Sequence, residues 1–226
     1  NIFIKYLSSS SEKRSFFGNA KTFFFDHFLQ IIRLHKKSII SRSTLRKVLS
    51  DLVPVETFEE LKIPLKVCAT ELNSGKNITY DSGDLITAIV RSCSIPGIIE
   101  PTIQNKNIIV DGGVYLPIPV QVLKDKCNYT IAVDISQNEL PVLKNINMIN
   151  LKGRSDLITS NHLKNLLSEQ ADFMLKPNTL GSHWSSFHKS HLLIKEGEIE
   201  VQNKIESLKV ILEKVNFVDK SKERLS

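Results

Sequence analysis

Asp111 is the residue with the strongest claim to chemistry in this sequence. It follows the apolar run Ile108-Ile109-Val110 and is followed by Gly112-Gly113. That pattern puts a carboxylate at the C-terminal end of a strand, where α/β proteins assemble their sites. A held, partly desolvated aspartate can accept the proton of a hydroxyl nucleophile. The same three residues also suit a turn in which the aspartate caps its own backbone. Both readings stand from the residues themselves, and two glycines after a strand suggest backbone angles that other residues avoid.

Other chemistry finds less support. The six histidines, His27, His35, His162, His183, His188 and His191, form no H-E-x-x-H pattern. His188 and His191 are one helical turn apart but lack a third ligand nearby, so no metal is expected. Neither a G-x-x-x-x-G-K-[ST] nor a G-x-G-x-x-G loop occurs, which removes the usual support for a nucleotide cofactor. There is no G-x-S-x-G nucleophile elbow either. Cys68, Cys93 and Cys127 have no metal-ligand spacing, and an odd count does not make a disulfide scaffold. They read as small core residues in a reducing, cytoplasmic compartment.

The elements that must position Asp111 follow from periodicity. A helix is expected over Ala20–Lys37 and another over Thr44–Val53, capped by Ser43 and closed by Pro54. Residues 64–70 and 77–80 read as strands joined by Asn73-Ser74-Gly75-Lys76. A helix with apolar positions Leu85, Ile86, Ile89 and Val90 follows, capped by Ser82 or Asp84. Thr102–Gln104 and Ile108–Val110 form a second hairpin around Asn105-Lys106-Asn107. Pro117–Lys126 reads as a short helix, and Tyr129–Asp134 as an apolar strand buried on both faces, the kind found in parallel sheets. Further on, the expectations are a strand at Ile146–Leu151, a helix over Asp156–Gln170, a strand at Phe173–Lys176, and a helix over Phe187–Val215 broken near Gly197. Alternating strands and helices mean a layered α/β fold.

The chain has 226 residues, 41% hydrophobic and 24% charged, enough for one full core. No stretch reaches the roughly 18 uncharged apolar residues of a spanning helix. The net charge of +6 is unevenly placed: residues 1–50 hold ten Lys and Arg against two acidic residues, and seven of the eleven phenylalanines. Interleaved basic and aromatic side chains suit an anionic lipid surface or nucleic acid. No nucleic-acid reading motif accompanies the patch, so nucleic acid is not expected as a partner.

From about Ile39 onward the chain resembles the C-terminal two thirds of a patatin-like phospholipase domain of the bacterial type. The segments that carry the likeness are Phe58–Leu72, Ser92-Cys93-Ser94-Ile95-Pro96-Gly97, and Val110–Val114 with Pro117 and Pro119. Val133-Asp134-Ile135-Ser136 and Lys176-Pro177 with Phe187, Ile194 and Gly197 continue it in order. The resemblance implies a three-layer α/β/α sandwich with a mostly parallel central sheet, and a lipid acyl-ester hydrolase working through a serine and aspartate dyad without a cofactor. Asp111 matches the aspartate of the family's D-G-G/A motif and would be the proton acceptor, with Gly112 and Gly113 keeping its turn tight. No catalytic role is carried to Ser92, Cys93 or Ser94.

The family's glycine-rich oxyanion loop and its G-x-S-x-G serine do not occur in residues 1–226. The expectation is therefore an N-terminally truncated domain that carries the base without the nucleophile and is inactive alone. Another chain would supply the missing part, or the protein would be a non-catalytic lipid- or partner-binding pseudoenzyme fragment. The expected organisation is a basic, Phe-rich helical cap or lid over 1–40, able to meet a membrane peripherally, the patatin-like part over 41–217, and a charged tail over 218–226.

Overall fold

The computed structural model describes residues 38–136, 140, 142–143, 145–182 and 186–223. The helix expected over Ala20–Lys37, and nearly all of the 1–40 cap, lie outside the described residues. The chain divides into two compact units, with the boundary between Leu116 and Pro117.

In the first unit, helix α1 (Arg42–Leu52) starts at Ser41, whose side chain accepts from the Thr44 N–H at 3.2 Å. Ser43, the expected cap, lies inside the helix and its Oγ is 3.0 Å from that of Ser41. The helix ends where Val53 N–H reaches the Leu49 carbonyl, just before Pro54, which has no N–H to continue the ladder. Strands β1 (Val67–Glu71) and β2 (Lys76–Tyr80) form the first expected hairpin. Helix α2 (Leu85–Ser92) is capped by Asp84, which accepts from the Thr87 N–H at 2.6 Å.

Strands β3 (Thr102–Gln104) and β4 (Asn107–Asp111) form the second hairpin across Asn105 and Lys106, both at positive φ, as a two-residue loop of matching twist requires. Two apolar clusters among the described residues pack around α2. Ile40, Leu45, Ile86, Val90 and Ile99 join α1 to α2, and Phe58, Val67, Leu85 and Ala88 join α2 to the sheet side.

These four strands form one sheet, ordered β2-β1-β4-β3 and antiparallel at every pairing, with Ala69 opposite Asp111. This corrects the mostly parallel main sheet expected from the resemblance. The reason lies in the connections: four residues join β1 to β2 and two join β3 to β4, whereas a parallel pair needs a crossover of a dozen residues or so.

The second unit supplies such a crossover. Strand β5 (Ile131–Val133) pairs in parallel with β6 (Phe173–Leu175), and helix α4 (Met148–Ser168) runs between them. Before it lies the short helix α3 (Gln121–Lys124), and after it a 3₁₀ turn at Phe187–Lys189 and helix α5 (Ser190–Glu223). β5 is not buried on both faces as expected: Ala132 is buried, while Ile131 and Val133 are 45% and 53% exposed. The strand expected at Ile146–Leu151 is the start of α4, because Asn147 caps it by accepting from the Asn150 N–H at 2.9 Å. The break expected near Gly197 is absent; α5 runs through it, a helical glycine costing about 1 kcal/mol relative to alanine. Cys127 is exposed and so not the core residue expected, whereas Cys68 and Cys93 are partly buried.

Candidate active site

The sheet delivers Asp111 to the end of β4, where the chain leaves the strand and enters a 3₁₀ turn over Gly112–Val114. Both readings of Asp111 meet there. Its Oδ1 accepts from the Gly113 N–H at 2.7 Å, so the carboxylate does cap its own turn. Among the described residues nothing donates to Oδ2, which leaves that oxygen available to a proton donor. Burial pushes the Asp111 carboxyl above the ordinary aspartate range, and the Gly113 N–H offsets this only in part. A carboxylate raised in this way is a better proton acceptor than one in water.

The glycines are required for a reason other than the expected one. Neither Gly112 nor Gly113 has a positive φ. A Cβ on Gly112 would stand 2.4 Å from the Cys68 carbonyl oxygen and 2.8 Å from its carbon, so backbone lies directly against backbone there. A Cβ on Gly113 would stand 2.9 Å from Asp111 Oδ1, displacing the bonded carboxylate. The two glycines permit close approach, and the turn is packed onto β1.

The other side of Asp111 is held by the loop after α2. Asp111 N–H donates to the Ser94 carbonyl at 2.9 Å, and the buried Ser94 hydroxyl donates to the Val90 carbonyl at 2.8 Å. Cys93 lies close enough for the Asp111 charge to act on it. Burial first, and that charge second, push its thiol above the ordinary range, and burial does the same to Cys68. These surroundings disfavour the thiolate, the nucleophilic form, at both cysteines. Ser94 was missed as a support of Asp111 because its partner is a backbone N–H far along the chain, which leaves no mark on spacing.

A second carboxylate missed by the sequence reading is Glu71. It accepts from the N–H groups of Asn73 (3.0 Å), Ser74 (2.6 Å) and Ile108 (3.2 Å), clamping the β1–β2 turn against β4. A hydrogen bond from the Ser74 side chain, then those from the Asn73 and Ser74 N–H groups, outweigh burial and hold its carboxyl down to about 2. That makes Glu71 an ionised clamp and a poor base.

Two clefts of the first unit lie elsewhere. One, of about 410 Å³, is lined by Arg42, Arg46, Thr87, Glu100 and Thr102 among others, and the second, of about 430 Å³, by residues around Val53–Thr57 and Asp84. Asp111 lines neither. Among the described residues no three His, Cys, Asp or Glu side chains come together as metal ligands, and His162, His188 and His191 are exposed. No described helix is long and apolar enough to cross a membrane.

Comparison with known proteins bears on this geometry. The family model described as patatin-like phospholipase matches residues 4–124, which include the whole four-stranded sheet and the Asp111 turn. Three curated relatives, each named an uncharacterized NTE family protein, come from Mycobacterium bovis and two strains of Mycobacterium tuberculosis. Each is 35% identical over 115 residues, covering 48% of this chain and 32% of the relative. The match thus spans about a third of the length of these relatives.

Proposed function

The chain belongs to the patatin-like phospholipase family, a family of lipid hydrolases, and from that premise we propose that it forms the base-bearing part of a lipid acyl-ester hydrolase with Asp111 as the proton acceptor. The observation that carries this reading is the Asp111 carboxylate itself, which burial makes basic and which keeps Oδ2 open while Gly113 N–H holds Oδ1. In the proposed reaction a serine hydroxyl gives its proton to Asp111 as its oxygen attacks the acyl carbonyl carbon. The proton then passes to the departing alcohol oxygen. A water next gives a proton to Asp111 and its oxygen attacks the acyl-enzyme, releasing the fatty acid and returning the proton to serine. No cofactor enters.

Residues 1–226 contain no G-x-S-x-G serine and no glycine-rich oxyanion loop, so the proposed nucleophile comes from outside them and this chain by itself is inactive. The antiparallel sheet would then be one component of the three-layer arrangement. Residues 1–40, basic and rich in Phe, are proposed to meet the membrane in which such substrates lie.

The test is release of fatty acid from phospholipid vesicles by the whole gene product and by its Asp111→Asn variant. The amide keeps the shape but cannot take the proton, so turnover should fall by about a thousandfold with the fold retained. Near-normal turnover would remove Asp111 from the mechanism. A whole product that binds vesicles but never releases fatty acid would favour the non-catalytic lipid-binding reading, to which the absent serine motif points. Sedimentation with anionic vesicles tests the membrane contact, and replacing Phe23, Phe24 and Phe25 with Ser should abolish co-sedimentation of the chain.

A further inference from the structure

Ser94 is fully excluded from solvent, yet its polar groups reach two different elements. At the end of α2 the helical ladder tightens: Cys93 N–H goes to the Ile89 carbonyl and Ser94 N–H to the Arg91 carbonyl at 3.2 Å. The Val90 carbonyl is thereby left for the Ser94 hydroxyl, which donates to it at 2.8 Å. With side chain and N–H both tied to the helix, the Ser94 carbonyl has a fixed direction, and it accepts from the Asp111 N–H at 2.9 Å.

That bond falls where β4 needs it. β1 pairs with β4 as far as Ala69 opposite Asp111, but the pairing of β3 with β4 ends at Thr102 opposite Ile109. Without Ser94, Asp111 would be a strand end held along one edge, and ends held so fray readily.

We infer that Ser94 is the positioning residue of Asp111, locking the peptide that carries the carboxylate to the end of α2. The inference deepens the proposed role of Asp111 as base and rests on it for its meaning in catalysis. Its geometry stands within this chain. The hydroxyl does not touch the carboxylate; it acts through the backbone, by holding still the carbonyl that holds Asp111.

The test reads the carboxylate without substrate. With aspartate labelled at its carboxyl carbon and Asp111→Asn used for assignment, NMR follows the Asp111 titration and the Gly113 amide signal in the chain and in Ser94→Ala. Losing the hydroxyl should let the turn loosen and take on water. The Asp111 midpoint should move toward the ordinary aspartate range by about half a pH unit, close to a threefold change in its protonation equilibrium. The Gly113 amide should shift with it, while Asp172, bonded to Thr130 in the second unit, should not move. Ser94→Cys, which offers the Val90 carbonyl a weak S–H donor, should bring the midpoint back toward wild type.

Lower stability with an Asp111 titration superimposable on wild type would overturn the inference and leave Ser94 a packing residue. If Ser94→Ala does not fold, exchange of the Asp111 amide hydrogen in the unaltered chain decides. Protection equal to that of Val110 upholds the lock, and exchange as fast as at a frayed end refutes it. Neither measurement depends on hydrolysis, so the inference can fail while the Asp111→Asn turnover assay still supports the hydrolase reading, and the reverse.

Discussion

Asp111 in the first unit and Asp134 in the second begin alike and end differently. Each terminates an apolar strand, each has its own N–H held by a carbonyl at 2.9 Å, and each uses Oδ1 to accept the N–H two residues on, at 2.7 Å from Gly113 and 2.9 Å from Ser136. The surroundings separate them. Asp134 is 5% exposed and lies near Lys164, whose ammonium burial pushes below the ordinary lysine range and the Asp134 charge restores only in part. Asp111 is partly open, its carboxyl is raised by burial, and its turn is pressed onto Cys68. A carboxylate shut away from solvent has no access to a substrate; one raised by desolvation yet still partly open is placed to take a proton. Local sequence makes the turn, and the neighbours give it its chemistry.

The largest effect that would sharpen this contrast is catalytic. Asp111→Asn should cost the whole protein about three orders of magnitude in turnover, while Asp134→Asn lowers unfolding stability and leaves turnover at the wild-type level. Equal losses in the two variants would erase the distinction. Next in size is packing. Gly112→Ala drives a methyl group into the Cys68 carbonyl and should cost about 3 kcal/mol in urea unfolding. Gly153→Ala, in α4 with open space around it, should gain up to about 1 kcal/mol. A tolerated Gly112→Ala would mean the turn is not held against β1.

The pH dependence of stability separates the two carboxylates of the first unit with opposite signs. Because the Asp111 carboxyl is raised on folding, its contribution is full below the ordinary aspartate value of about 3.9 and is lost as pH rises through the raised value. Glu71 is the reverse: its contribution is present above the ordinary glutamate value of about 4.3, and is lost as pH falls toward about 2. Denaturation series from pH 2 to 8 should show Asp111→Asn gaining on wild type as pH rises, and the deficit of Glu71→Gln closing as pH falls. The smallest expected effect is at the start of α1, where Ser41→Ala should cost about 1 kcal/mol and Ser43→Ala less, since Ser41 is the cap.

Much of the first unit was legible in the sequence. Both hairpins, the two helices before the Asp111 turn, and Asp84 as one of two cap choices follow from periodicity and turn residues, which act over a few positions. Asp111 was legible as a strand-end carboxylate for the same reason. The second unit was less so. Ile146–Leu151 is apolar enough for either period, and Asn147 decided for helix. The Gly197 break failed because one glycine costs a long helix little.

Composition and local pattern therefore determined the α/β class and the strand that ends in Asp-Gly-Gly, while the motifs in their order carried the resemblance to the family. Only the tertiary structure decided that the main sheet is antiparallel, that Gly112 is needed for its closeness to Cys68, that Ser94 holds the Asp111 peptide, and that Asp134 is shut away from solvent where Asp111 stays partly open. The physical reason is range. Periodicity and capping are set by neighbours along the chain, whereas desolvation, close backbone approach and charge compensation depend on groups that folding alone brings together.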